Sequence, residues 1–310
     1  MQARQQTPVI KPPTRNGVSP SRVFLPVGDW RTYEDFLAAR IPAVSPEEWR
    51  QRVSQGEVMD ATGKSLRPGQ AYRHGSLLYY YRSLPPEVPI PFTETILYQD
   101  EWLVVADKPH FLPVIPSGRY LQETLLVRLK RRLNIETLSP IHRIDRETAG
   151  IVVFSVRPET RARYQTLFLE QQVQKRYEAI APYRPDIRLP LLYQSRLVQG
   201  SESFMQMKTE EGLPNATTEI HLLESRGNLA RYALKPLTGR KHQLRVQMAS
   251  LGLPIRNDRI YPRLLPEEKD EKTRAEAFAA PLQLLAKTLS FEDPVTRQQR
   301  HFESRHQLTL

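Results

Sequence analysis

Four prolines between residues 85 and 91 divide this chain more firmly than any other feature: Pro85, Pro86, Pro89 and Pro91. Each fixes its own φ and lacks a backbone N–H, so the stretch can continue neither a helix nor a central strand. Residues 85–92 therefore read as a linker, with a small unit before it (29–84) and a large one after it (93–310). The chain has 310 residues, which suits one large domain and one smaller. Residues 1–28 carry Pro8, Pro12, Pro13, Pro20 and Pro26 among Arg and Gln, the composition of a flexible or extended arm.

In the small unit, Thr32 precedes an amphipathic stretch, Tyr-Glu-Asp-Phe-Leu-Ala-Ala-Arg, and is placed to cap it. Ser45-Pro-Glu-Glu starts a second helix: Ser45 caps, Pro46 takes the first turn, and Glu47 and Glu48 suit the positive helix end. A strand and turn over 56–63 and a strand at Leu77–Tyr81 complete a small α/β unit. In the large unit, residues 95–109 read as two strands around a turn at 99–101. Helices are expected at 122–133, 160–171 and 241–251, the second with a stripe of Tyr164, Leu167 and Phe168. Strands are expected at 150–156, 175–181, 193–198, 217–223 and 229–236, with a final pair within 284–302. Residues 263–280 are charged and read as loop or helix. The sum is an α+β domain with a mixed, largely antiparallel sheet.

Lys and Arg total 45 against 34 Asp and Glu, a formal charge of +11. Such an excess suits a polyanionic partner, although a basic chain need not bind nucleic acid. The absence of cysteine excludes disulfides, thiolate catalysis and thiolate metal sites. No uncharged apolar run approaches the roughly 20 residues that span a bilayer, and residues 1–20 lack a signal-peptide core. A cytoplasmic protein with no membrane partner is expected.

Two segments stand out chemically. Pro140-Ile-His-Arg-Ile-Asp-Arg-Glu-Thr-Ala-Gly runs into the apolar strand Ile151-Val-Val-Phe. Six of the seven residues from His142 to Thr148 are polar, and each would need a partner if buried. It reads as a loop lining a cleft; the plainer reading is a surface loop with an Arg143–Asp145–Arg146 ion-pair cluster. Leu237-Thr-Gly-Arg-Lys-His-Gln-Leu-Arg holds a turn with Lys235, Arg240, Lys241 and Arg245 nearby. It could bind phosphates or a carboxylate; its plainer reading is the solvated start of a basic helix. Thr62-Gly-Lys-Ser echoes a phosphate loop but has Val58 where a glycine is required. The seven histidines show no metal-ligand spacing. Asp145 and Glu147 would also be compatible with a glycosidase pair. Tyr79-Tyr-Tyr suits strand packing better than base stacking.

His142-Arg-Ile-Asp-Arg-Glu-Thr-Ala-Gly resembles the signature of the RluA-type family of RNA pseudouridine synthases. Three further segments are similar to that family's motifs and occur in its order: Ile96–Pro109, Lys175-Arg-Tyr-Glu-Ala, and Thr238–Arg245 with Gly252–Tyr261. Ala149, Gln247, Asn257 and Pro262 depart from the usual residues. The resemblance implies a pseudouridine synthase fold over roughly 93–308 and conversion of uridine to pseudouridine in structured RNA, rRNA or tRNA. It makes Asp145 the essential carboxylate, Tyr177 the residue that stacks on the base and acts as a base or acid near it, and Arg245 the partner of Asp145. Arg143 would help open the RNA, and Arg143, Arg146, Arg240, Lys241 and His242 are expected to contact it. The reaction moves the uracil's bond to ribose from nitrogen to carbon 5. It involves no redox change and demands no cofactor or metal. One carboxylate suffices, by attacking a carbon or by taking a sugar proton, and an Arg partner would favour its ionised form. The target base must leave its stack. The family leads us to expect a monomer.

Residues 30–84 faintly resemble a small ribosomal-protein-type RNA-binding module; the alternative is an extension that only packs on the catalytic domain. A different function class, a non-catalytic RNA-binding or ribosome-assembly factor on the same fold, also fits the charge. The presence of Asp145, Tyr177 and Arg245 together argues against it. Both readings predict RNA affinity that falls steeply with salt. A protein contacting about six phosphates loses roughly a thousandfold between about 50 and 200 mM salt, measurable by filter binding; a flat dependence would count against RNA as partner.

Overall fold

In the computed structural model the chain divides between Glu87 and Val88, within the proline-rich stretch. Residues 12–82, 87–200, 205–266 and 270–310 are described; Pro85 and Pro86 lie outside them. Among the described residues no helix is long and apolar enough to cross a membrane.

The first unit holds β1 (Ser21–Phe24), α1 (Tyr33–Arg40), α2 (Pro46–Ser54), β2 (Val58–Met59) and β3 (Leu77–Tyr80). Thr32 and Ser45 cap as their positions require. Thr32 Oγ1 accepts from Asp35 N–H while the Asp35 carboxylate accepts from Thr32 N–H, and Ser45 Oγ accepts from Glu48 N–H. The caps satisfy orphan helix donors, and the helices bury Phe36, Leu37, Trp49 and Val53 against Leu78 and Val58 of the sheet. The expected arm is corrected over its later part. Ser21–Phe24 pairs antiparallel with Leu77–Tyr80, giving the order β1-β3-β2, because Val23 and Leu25 pack into this core. Residues 1–11 of that arm lie outside the described residues. Of the three tyrosines, Tyr79 and Tyr81 are buried and Tyr80 packs edge-on against Trp49.

The second unit is built on one sheet of 11 strands. In chain order its elements are β4 (Thr95–Gln99), β5 (Leu103–Lys108), α3 (Leu125–Leu133), β6 (Ser139–Pro140), β7 (Ala149–Ser155), α4 (Arg161–Leu169), β8 (Gln174–Pro182) and β9 (Leu191–Gln199). There follow β10 (Met207–Glu210), β11 (Ala216–Arg226), β12 (Leu229–Pro236), α5 (Gln243–Ser250), α6 (Glu271–Ala279), β13 (Leu284–Glu292) and β14 (Gln299–Glu303). The order is β10-β9-β11-β12-β8-β13-β7-β5-β4, with β14 on β13 and β6 on β7. Among the described residues every pairing is antiparallel except β13 with β7. The unit is thus α+β with a mixed, largely antiparallel sheet. The β4–β5 turn is set by Asp100, whose Oδ1 accepts the N–H groups of Trp102 and Leu103 at 2.8 and 2.7 Å. β5 and β7 are buried at every position, as their runs of Val, Ile and Leu dictate.

The parallel junction positions the site. Gly150 of β7 pairs with Ala286 of β13, which pairs with Tyr177 of β8. Two strand spacings, about 10 Å, therefore separate the start of β7 from Tyr177. The loop that carries Asp145 ends at this row. The approach of β13 leaves no room for a side chain: a Cβ on Gly150 would lie 2.3 Å from the carbonyl oxygen of Ala286, and its φ is +113°. Gly150→Ala is expected to destabilise the protein by roughly 2–5 kcal/mol, combining backbone strain with overpacking. Gly239→Ala, where the nearest atom would be 4.0 Å away, should cost far less. Urea unfolding of both variants checks this.

Candidate active site

The loop from His142 to Thr148 joins β6 to β7, and its backbone is held from several sides. The His142 ring stacks on Phe168, with centroids 4.6 Å apart, and its Nε2 accepts the N–H of Val153 at 3.2 Å. Burial pushes its pKa down to about 3, so the ring is neutral and serves as a brace. Lys108, at the end of β5, has no exposed surface; its Nζ donates to the carbonyl of Arg146 at 2.9 Å and to that of Pro109 at 2.9 Å. His110 Nδ1 lies 2.6 Å from the carbonyl of Glu147. A carbonyl only accepts, so Nδ1 carries the proton. Two consecutive loop carbonyls are thus fixed from the end of β5 and the residues just after it.

Arg245 meets this loop from α5. The helix runs Gln-Leu-Arg-Val-Gln-Met-Ala-Ser and buries every residue from Gln243 to Met248. Its three buried polar side chains are all partnered. Gln243 bonds Thr238, Thr217 and Thr218. Gln247 accepts from Thr218 Oγ1 at 2.6 Å and donates to Ser195 Oγ at 3.0 Å. Arg245 is 1% exposed and donates in a two-bond fork to Asp258, Nε to Oδ2 at 2.8 Å and Nη2 to Oδ1 at 2.7 Å. Its Nη1 points to Asp145 Oδ2 at 3.3 Å and Glu147 Oε2 at 3.5 Å. Asp258 Oδ1 also accepts the N–H groups of Ile260 and Tyr261, at 2.8 and 3.1 Å.

The charges sort the acidic groups. Burial pushes the Glu147 carboxyl up, but the adjoining Arg146 and Arg245 guanidiniums outweigh it and hold it at about 2. Glu147 has no proton to give near neutral pH, so it cannot be the acid of an Asp145–Glu147 glycosidase pair. Burial lowers Lys108 to about 7 against the pull of Glu147 and Asp145. Tyr177 is raised by burial and then by the charge of Asp145, so its phenol stays protonated. Tyr261 is pushed up to about 12 by burial.

Asp145, Arg245 and His242 come together as a cluster, with Tyr177 near enough to feel the Asp145 charge. The residues expected to contact RNA divide. Arg143 is exposed. Arg240 is exposed, with its Nε on the carbonyl of Asn215, and Lys241 is exposed beside it. Arg146 instead is tied to Glu147 Oε1 at 2.8 Å and to Tyr120 Oη at 2.8 Å, and His242 is 10% exposed. Of the basic side chains in 237–245, Arg240 and Lys241 fit the plainer reading of a solvated helix start, and Arg245 does not. Sequence reasoning missed Asp258, Tyr261, Lys108 and His110. The usable signal was Arg245 itself: a buried guanidinium needs more than one acceptor. The departures are absorbed locally, Gln247 in the network above and Asn257 at φ +63°, a conformation Asn tolerates.

A family model described as RNA pseudouridylate synthase matches residues 102–250. The dual-specificity RNA pseudouridine synthase RluA of Salmonella typhimurium is 34% identical over 219 residues, 68% of this chain and 90% of its own length. An uncharacterised RNA pseudouridine synthase of Synechocystis sp. is 29% identical over 232 residues, 73% of this chain and 78% of its own. A solved structure, human RNA pseudouridylate synthase domain containing 4, is 28% identical with a TM-score of 0.52, covering 69% of this chain and 88% of that one.

The matched stretch contains Asp145, Tyr177 and Arg245 and stops short of Asp258. Asp258→Asn keeps the shape but leaves the Arg245 charge without its main counter-charge. A loss of roughly 3–5 kcal/mol is expected in denaturant unfolding; a loss below about 1 kcal/mol would show that Asp145 and Glu147 suffice to balance it.

Proposed function

We propose that this chain, which belongs to the RluA-type family of RNA pseudouridine synthases, converts a uridine of rRNA or tRNA to pseudouridine through the carboxylate of Asp145. The observation that carries the reading is the contact of Asp145 Oδ2 with the buried, Asp258-anchored Arg245 at 3.3 Å. Asp145 keeps 27% of its side chain open, against 15% for Glu147 and 1% for Asp258. It is the carboxylate of the three with room for a substrate.

The reaction breaks the bond between C1′ and N1, turns the uracil, and joins C1′ to C5. N1 gains a proton and C5 loses one, so composition and oxidation state are unchanged. An ionised carboxylate serves either entry to this sequence, as a nucleophile on carbon or as a base toward a sugar proton. Arg245 stabilises the charge that the carboxylate starts from and regains. Tyr177 offers a π-face to the uracil and a phenolic proton. A uridine reaches such a loop only when turned out of its stack, and the exposed Arg143, Arg240 and Lys241 suit the flanking phosphates. The first unit, which has its own core, is proposed as a small RNA-binding module on its faint resemblance to one.

Asp145→Asn should abolish pseudouridine formation while RNA affinity stays within about twofold, since phosphate contacts dominate binding. Wild type and variant are expressed in a strain lacking the gene, and pseudouridine is mapped across rRNA and tRNA. Identical maps would reject the assignment of Asp145; a site present only with wild type identifies the target uridine.

A further inference from the structure

Asp145 presents two carboxylate oxygens, and each faces a different side chain. Oδ2 faces Arg245; Oδ1 lies 3.9 Å from Nε2 of His242. We propose that His242, held by Tyr261, is a positioning residue for Asp145: its Nε2–H donates to Oδ1 when the target is bound and fixes the rotation of the carboxylate. The proposal rests on Asp145 being the reactive carboxylate.

The hydrogen bonds around Tyr261 assign the proton. Met207 N–H donates to Tyr261 Oη at 2.7 Å, and His242 Nδ1 lies 2.9 Å from the same oxygen. Met207 takes one lone pair of the phenol, and Nδ1 is the acceptor within reach of the phenol's own proton, so we place that proton on the Oη–Nδ1 bond with Tyr261 donating. A neutral imidazole that accepts at Nδ1 carries its hydrogen on Nε2, the atom facing Asp145. The groups facing the ring are Asp145, Glu147, Arg245, Lys241 and Tyr261. Burial lowers its pKa, helped by Arg245 and Lys241 and opposed by Asp145 and Glu147, so the neutral donor form prevails near neutral pH.

The backbone supports the same role. His242 occupies the N-cap position of α5 at φ +54°, yet its side chain makes no capping bond. Non-glycine residues are uncommon in this conformation, and its ring is committed to Tyr261 instead, edge-on with centroids 5.6 Å apart. The gap to Oδ1 exceeds a hydrogen bond, but such contacts often tighten in the bound complex, and a carboxylate rotation of about 1 Å closes it. The loop holding Tyr261 also holds Asp258, so residues 258–261 support both neighbours of Asp145. That loop is joined to β10 by the Met207 bond and, from the residue before the strand, by Gln206 Nε2 donating to the carbonyl of Ile260 at 2.8 Å.

The test measures single-turnover pseudouridine formation against pH, using the full chain and total RNA from a strain lacking the gene. A hydrogen bond donated to a carboxylate favours its ionised form. His242→Phe should therefore slow the reaction roughly ten- to a hundredfold and move the acid limb of the profile up by about one pH unit. His242→Gln, which restores an N–H near Nε2, should bring both back toward wild type, and Tyr261→Phe should fall between. RNA affinity should stay within about twofold in all three. A slow His242→Phe with an unmoved limb, or an affinity loss that accounts for the rate, overturns the proposal. If His242→Phe does not fold, the Gln and Tyr261→Phe profiles decide by the same criterion. Asp145→Asn separates the two claims. Activity in that variant defeats the reading of Asp145; an inactive Asp145→Asn beside a wild-type-like His242→Phe defeats the positioning role alone.

Discussion

A guanidinium cut off from water survives only where carboxylates meet it, and the arrangement around Arg245 follows from that constraint. Burial alone works against its charge; the fork to Asp258, then Asp145 and Glu147, more than restore it. The fork fixes two of its three nitrogens, which leaves Nη1 as the one that faces the loop. A cation so anchored need not reorganise when charge shifts on Asp145, which is the condition for electrostatic stabilisation at a reacting carboxylate. The helix that carries it is anchored in turn. Gln243 and Gln247 both engage Thr218 of β11, so α5 cannot slide along the sheet without breaking buried hydrogen bonds.

The loop opposite meets the same requirement by another route. Its side chains are polar, and it is braced by groups that are largely withdrawn from water and weakly charged or neutral: His142, His110 and Lys108. Burial lowers all three, to about 3, 4 and 7. Neutral imidazoles can brace a loop beside carboxylates without collapsing onto them as ion pairs. Strong cations placed there instead would have competed with Arg245 for Asp145.

What was legible in the sequence was what local rules decide. Thr32 and Ser45 cap because side-chain oxygens sit where orphan N–H groups emerge, and β5 and β7 are buried because their apolar runs leave no polar face. Short elements failed that test. β6 and β10 are two and four residues long, and β1 sits among prolines that read as an arm until its partner β3 is known. Helix α5 was placed correctly, but Arg240 and Lys241 suggested a solvated start; only contact with β11 reveals that the first six residues of the helix are buried. In the site, Asp145, Tyr177 and Arg245 were named through resemblance, since no local rule separates a reactive aspartate from an ion-paired one. Asp258 lies 13 residues beyond Arg245, and its role depends on how the chain turns after α5. Lys108 and His110 act through loop carbonyls, which leave no mark in side-chain pattern.

The same accounting supports the proposal that Asp145, and not a neighbouring acid, is the reactive one. Three carboxylates, Asp145, Glu147 and Asp258, surround two permanent cations, Arg146 and Arg245. Asp258 is spent on Arg245 and on two backbone N–H groups, and Glu147 is held between Arg146 and Arg245. Each is stabilised as an anion by bonds that a reaction would have to break. Asp145 shares the remaining nitrogen of Arg245 at a longer 3.3 Å and keeps the largest open face. An acid held strongly enough to stay ordered, and weakly enough to engage another group, is the one suited to act on a substrate as nucleophile or as base. That difference in commitment, rather than any difference in residue type, favours Asp145 over its neighbours.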